Sequence, residues 1–296
     1  MMSTPEPPPN LSARLNTLAQ RLGLSGRGTR LLRERAAALR LPFQPLPAIQ
    51  SSIWWQAGPP LQRLVKLPRS ALSGPVQDDK ADAHALLVGV VAQERQQLDN
   101  FDLRLIDGLD HAGATDHHIS LEQFCATPAC RNVRIISYKD FVKTISQALP
   151  RYLAGERIHL RAASWLGQRW FWAGERQIEA LAGAIVYARR RGLEISLPAD
   201  ITRYRLSASG LDALQARYHV LAMPVQAWSA PDFMSLLLDN GLPYARLSLL
   251  HTPGAPEILL LPRQNAEAMA LGEGLSRAGA ADVVAYLRGL MQTTDS

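Results

Sequence analysis

Residues 157–192, RIHLRAASWLGQRWFWAGERQIEALAGAIVYARRRG, decide the fold class. Two short runs of β character flank Leu166-Gly167, and a helix is predicted from near Glu175 to Gly192. Ile178, Leu181, Ala182, Ile185, Val186 and Tyr187 form one apolar face at helical spacing, and Arg189, Arg190 and Arg191 fill the last turn, where cations are favoured. Strand, turn, strand and amphipathic helix in succession make a packed α/β unit. They carry no signature of a particular chemistry.

Outward from this unit the same alternation continues. On the N-terminal side the pattern predicts a helix over 78–98, strands at 101–105, 117–122 and 133–137, and a helix over 138–153. On the C-terminal side it predicts strands at 193–197 and 201–206, a helix at 210–216 and a strand at 217–224. Ser229 to Asp232 resembles a capping box for a helix over 230–240, ended by Asn240-Gly241. Strands at 244–250 and 257–261 flank a Pro-Gly turn, and Asn265 caps a last helical segment that breaks near Gly279. Several predicted strands are sequence neighbours, so a mixed β-sheet with helices packed on it is expected, α/β or α+β in class.

Residues 1–75 read differently. The first nine are Pro-rich, and ordered structure is not expected of them. Leu11, Leu15, Leu18 and Leu22 form one helical stripe, and a second helix is predicted over 29–40. Residues 41–75 are Pro-rich, read as an extended wrap with a strand at 61–67, and the Trp54-Trp55 pair argues that part of it docks. The expected division is a basic helical arm (1–40), a Pro-rich wrap or linker (41–75) and a mixed-sheet body (76–296).

Charge follows that division. Of 32 basic residues 28 are Arg, which looks like coding style rather than selection for nucleic acid. Yet residues 1–69 hold ten basic and two acidic residues, a balance of +8, while the remainder holds 22 and 24. Such asymmetry points to an acidic partner for the arm. No apolar run reaches the roughly 18–20 residues of a membrane helix. The start MMSTPEPPPN lacks a secretory h-region, though the Arg-rich, acid-poor first forty residues leave a transit peptide open. Two cysteines, Cys125 and Cys130, make no disulfide framework, so a reducing cytoplasm is the expected compartment.

Three clusters are candidates for function, each with a plainer alternative. The loop 107–118 holds Asp107, Asp110, His111, Asp116, His117 and His118, three of the seven histidines among them. Asp110, His111, Asp116, His117 and His118 are ligand types for a divalent transition metal such as zinc or iron. The alternative is a polar turn, and a strand at 117–122 would point His117 and His118 to opposite faces. With Leu166-Gly167 as a two-residue turn, Arg161 pairs with Trp172, and Arg161, Trp165, Trp170 and Trp172 share one face. That face is either an aromatic platform for a base or sugar or a second core layer. The third candidate is the arm. Its Arg14, Arg21, Arg27, Arg30 and Arg33 contact phosphates or an acidic protein, or else form a solvated face beside a packed Leu stripe.

No serine sits in a nucleophile elbow, and the glycines at 23–28 lack the lysine and the preceding strand of a phosphate loop. With no catalytic set legible, the expected function is a non-enzymatic binding or accessory protein that contacts protein or nucleic acid through the arm. The rival is a metal-dependent or acid/base hydrolase using loop 107–118.

Overall fold

The computed structural model describes residues 24–111, 117–174, 176–247 and 256–292. The Leu11–Leu22 stripe, Arg14, Arg21 and Asp116 lie outside them. In chain order the elements are α1 (Leu24–Ala37), β1 (Leu72–Ser73), α2 (Gln77–Val88), β2 (Val91–Asp102), β3 (Ile106–Leu109), α3 (Leu121–Cys125), α4 (Tyr138–Ala148), β4 (Ile158–Ala163), β5 (Trp170–Trp172), α5 (Ile178–Arg191), β6 (Ser196–Leu206), α6 (Ala208–Arg217), β7 (Tyr218–Met223), α7 (Pro231–Leu238), β8 (Ala245–Leu247), β9 (Glu257–Pro262), α8 (Ala266–Ala278), β10 (Ala281–Asp282) and α9 (Val283–Gln292). The class is α/β, as expected, with two five-stranded sheets in place of one. Two compact units interleave along the chain. The first takes Met1–Leu46, Arg69–Ala83 and Gln215–Val283; the second takes Pro47–Pro68, His84–Leu214 and Val284–Ser296.

The second unit is built on a mixed sheet in the order β2-β6-β4-β5-β3. β4 and β6 run parallel, with Ile158 beside Ala199 and Leu160 beside Ile201. These four side chains and Trp172 share a core with Phe141 and Ile145 of α4 and Leu181 and Ile185 of α5. Each fully buried Leu, Ile or Phe contributes about 1.5–3 kcal/mol. α5 ends at Gly192, whose φ of 63° is left-handed and whose N–H closes on the Ala188 and Arg189 carbonyls. Ser137 and Asp140 form a reciprocal capping box at the start of α4.

The first unit holds a fully antiparallel sheet in the order β1-β8-β9-β7-β10. Leu259 and Leu261 of β9 pack with Phe233 and Leu237 of α7, Leu271 and Leu275 of α8, and Leu32 and Ala36 of α1. Gly274 lets α1 and α8 approach closely: a Cβ there would lie 2.5 Å from the Ala36 Cβ and 2.6 Å from the Arg33 carbonyl.

Several elements differ from the sequence reading. The helix expected over 78–98 ends at Val88, and β2 follows. β2 sits at a sheet edge with most of its residues exposed, so its sequence lacks the alternation of a half-buried strand. Pairing with β6 along nearly its whole length overrides its helix propensity. In place of a strand at 117–122 stands helix α3, because Ser120 caps it by accepting from Gln123 N. Residues 133–137 form no strand, residues 61–66 form a 3-10 helix, and the strands expected at 193–197 and 201–206 are one strand, β6. Ser229 caps nothing; its hydroxyl donates to the Gln226 carbonyl, and α7 starts at Ala230-Pro231.

Candidate functional site

The β4–β5 connection is not a two-residue turn. A 3-10 turn at Ser164–Leu166 is followed by Gly167, with φ of 77°, and β5 starts at Trp170. The observed partners are Leu160 with Trp172 and Arg161 with Phe171, one residue from the expected register. A one-residue slip moves every side chain to the other face. The proposed platform therefore does not share a face. Trp172 lies beside Leu160 in the core at 4% exposure, and Trp165 is buried at 5%. Arg161 lies on the opposite face, ion-paired to Asp110. Trp170 alone keeps an open side. Phe101 meets it edge-on, ring centroids 5.7 Å apart, and the Arg203 guanidinium sits 4.8 Å from its ring centroid.

Trp170 and Arg203 line a crevice of about 460 Å³ at the carboxyl ends of the parallel strands β4 and β6. Ala162, Leu206 and Met291 give it apolar wall, Gln168 and Tyr204 a polar one. Ser164 Oγ accepts from Leu206 N at 3.2 Å and ties the two strand ends together. Arg205 also lines the crevice, 3.8 Å from the Glu94 carboxylate, in an exposed pair of little energetic weight. Arg203 differs: its Nε is buried and has no hydrogen-bond partner among the described residues. The crevice thus combines a planar cationic fork, an aromatic floor and an apolar flank, which suits an oxyanion on an organic body.

The polar end of β3 and the loop after it are held by protein groups. The Asp107 carbonyl accepts from Arg169, its Oδ1 from Arg189, and its Oδ2 from Trp170 N. Asp110 takes Arg161 and, at 3.5 Å, Gln56. The rings of His111 and His118 lie 6.2 and 6.4 Å from the Trp54 ring, and His117 is exposed. Among the described residues no three His, Cys, Asp or Glu side chains gather as a metal site.

Two arginines that the sequence did not single out for this purpose organise the loop. Arg169 donates to the Ser52 carbonyl at 2.6 Å and the Asp107 carbonyl at 3.0 Å, and burial pulls its pKa below the usual guanidinium value. Arg189 donates to the carbonyls of Arg104 and Ile106, both at 2.8 Å, and pairs with Glu122 at 3.0 Å. Placed at a helix C-terminus by its sequence position, it works mainly through these contacts.

In the first unit, α1 carries the described part of the basic arm. Arg30 pairs with Glu34 and Arg33 with Glu273, each at 2.9 Å. Arg27, Leu31 and Arg35, four residues apart, form an exposed stripe, with Leu31 at 57% exposure.

Residues 96–296, about two thirds of the chain, match the Family of unknown function (DUF6685), and the chain belongs to that family. Comparison with curated proteins and with solved structures gave no match. The matched span contains every residue that lines the crevice and leaves out α1 and Trp54-Trp55.

Proposed function

We propose that this member of the family is a non-enzymatic binding protein whose ligand is a small organic oxyanion seated in the crevice between β4 and β6. The observation that carries this reading is the Arg203 Nε, a buried charged donor without an acceptor among the described residues. Leaving such a donor unpaired costs about 1–3 kcal/mol, which a bound oxyanion offsets once a small side-chain shift admits it. The position supports the reading too, since ligands of α/β sheets gather at the carboxyl ends of parallel strands. Binding is favoured over metal-dependent hydrolysis because Asp107 and Asp110 are engaged by Arg189 and Arg161.

The test is thermal melting and calorimetry with benzoate and phenyl phosphate as probes. A ligand that binds only the native state raises the melting temperature. Arg203→Ala should weaken binding by about 10–100-fold, the worth of a charge-assisted hydrogen bond. Probes that leave melting unchanged, or a shift that survives Arg203→Ala, reject the reading.

The Arg27, Leu31, Arg35 stripe favours a second reading, in which α1 contacts an acidic partner, protein or nucleic acid. Binding of a polyanion such as heparin to the full chain should then weaken steeply with salt and disappear in Arg27→Glu/Arg35→Glu. Affinity that ignores salt, or survives that double change, rejects it.

A further inference from the structure

The most exposed large apolar side chains of the described residues fall close together. Leu153, at 79%, and Ile136, at 74%, lead them, and Tyr138 is exposed as well. All three lie beside one aromatic cluster of the second unit. The buried Phe141 ring of α4 stacks on Tyr138 with centroids 5.9 Å apart and meets Tyr152 edge-on at 6.0 Å. Leu153 follows Tyr152 in a 3-10 turn, Tyr152–Ala154, closed by the left-handed Gly155. Ile135 packs on the core, which leaves Ile136 facing solvent. Asp140 pins that stretch: its Oδ2 accepts from Ile136 N at 3.2 Å and from Ser137 N at 2.9 Å. Both aliphatic side chains thus stand on ordered backbone. Apolar residues scattered over a surface are ordinary, but a group of them on fixed turns marks a contact.

Positive charge surrounds the same group. Residues 131–153 hold Arg131, Arg134, Lys139, Lys143 and Arg151 against a single acid, Asp140. All five basic residues are exposed, and none forms an ion pair among the described residues. Elsewhere in this unit Arg104, Arg161 and Arg189 are each paired with a carboxylate. Tyr138, Lys139, Val142 and Lys143 line one open depression along α4. The nearby Glu156 carboxylate is taken by Arg151 N at 2.7 Å.

We infer that this face docks the protein on a membrane surface rich in anionic lipid. Ile136 and Leu153 enter the boundary between headgroups and acyl chains, and Tyr138 sits at headgroup level. The surrounding Lys and Arg heads meet lipid phosphates and carboxylates, while their stems cover the apolar edge. The aliphatic pair decides between a bilayer and a nucleic acid. Bases stack on flat rings, which Ile and Leu lack, whereas hydrocarbon accepts both side chains. The ordered turns beneath them spare the cost of fixing a loop on docking. The contact is peripheral, since no described helix is long and apolar enough to cross a bilayer.

The test floats the full chain with vesicles of phosphatidylcholine alone and with vesicles in which about a third of the lipid is phosphatidylserine. Binding should be confined to the phosphatidylserine vesicles and should fall as salt is raised. Lys139→Gln/Lys143→Gln should weaken it about 25-fold, roughly fivefold for each cation at an anionic surface. Ile136→Ser/Leu153→Ser should weaken it about tenfold or more while the melting transition stays in place, because both sites are exposed. Arg27→Glu/Arg35→Glu, on α1 of the first unit, should bind as the wild type does. Equal binding to both vesicle types, or binding to neither, would overturn the inference. So would binding that survives the Ile136 and Leu153 change, or that is lost in the Arg27 and Arg35 change, since charge alone or the arm would then carry it. An RNA oligonucleotide held through Tyr138 and Lys143 by a protein that ignores the vesicles would assign the face to nucleic acid instead.

Discussion

Two arginines of the second unit, Arg169 just before β5 and Arg203 in β6, with β4 between those strands, meet opposite fates. Arg169 donates to the Ser52 and Asp107 carbonyls and to Ser51 Oγ, with the Phe171 ring 5.5 Å from its guanidinium. Arg203 has an aromatic ring at similar range, yet its Nε finds no acceptor among the described residues. A satisfied buried charge is structure. An unsatisfied one lining a crevice is where the proposed oxyanion would bind. The residues dense in Asp and His drew attention in the sequence, but around Arg169 that density is spent on holding a loop.

The largest effect expected from breaking this comparison comes at the ring beneath it. Trp172 is buried in the core, and a Cβ on Gly174 would lie 2.0 Å from its Cζ2, so backbone packs directly on the indole. Trp172→Ala should cost about 3–5 kcal/mol in urea unfolding, whereas Trp170→Ala, on the open side, should cost clearly less. A wild-type midpoint for Trp172→Ala would return the aromatic face to the surface. Next comes Arg169→Met. It strands the Ser52 and Asp107 carbonyls, each about 1–3 kcal/mol if left dry, so the unfolding midpoint should fall by more than one such cost. Unchanged stability would show that the arginine does not hold the loop.

Arg203→Met sharpens the contrast from the other side. It removes an orphan donor, so stability should stay level or rise by up to about 1–2 kcal/mol, while the oxyanion-induced rise in melting temperature vanishes. Loss of stability comparable to Arg169→Met would mean that Arg203 is a structural group after all.

How much of this was legible follows from what each residue leans on. α5 and β4 are buried on one face by neighbours close in sequence, so Ile178, Leu181 and Ile185, or Ile158 and Leu160, announce themselves by spacing. β2 is exposed along most of its length and is a strand only because β6 lies beside it, a fact no local pattern carries. The hairpin register failed at Ser164–Leu166, where a 3-10 turn consumes residues that a two-residue turn would have left in strands. The Ser137–Asp140 capping box is present in the letters, a serine three residues before a carboxylate at the start of α4. For the site, the sequence singled out Trp170. It could not mark Arg203, because the run Thr202-Arg203-Tyr204-Arg205 does not say which guanidinium will lack an acceptor.

The smallest effect is expected at His219, the first unit's counterpart of Arg203. Its Nε2 is buried without a partner among the described residues, and Gly272 packs so tightly that a Cβ there would come within 2.8 Å of the imidazole. Burial, then the positive charge of Arg263, pulls its pKa below the usual value of 6.5, against an opposing pull from Glu273 and Asp282. Unlike Arg203, this group can escape its cost by staying neutral. The unfolded imidazole titrates near 6.5 and the folded one lower, so between the two values the unfolded chain holds more protons. The stability contributed by neutral His219 is therefore fully present above about pH 6.5 and is lost as pH falls through the folded value. Urea titrations at stepped pH should show that decline in the wild type and a flatter profile in His219→Gln, which keeps a polar side chain but does not titrate. Parallel profiles for the two proteins would mean that His219 is already solvated and charged, and the likeness to Arg203 would end there.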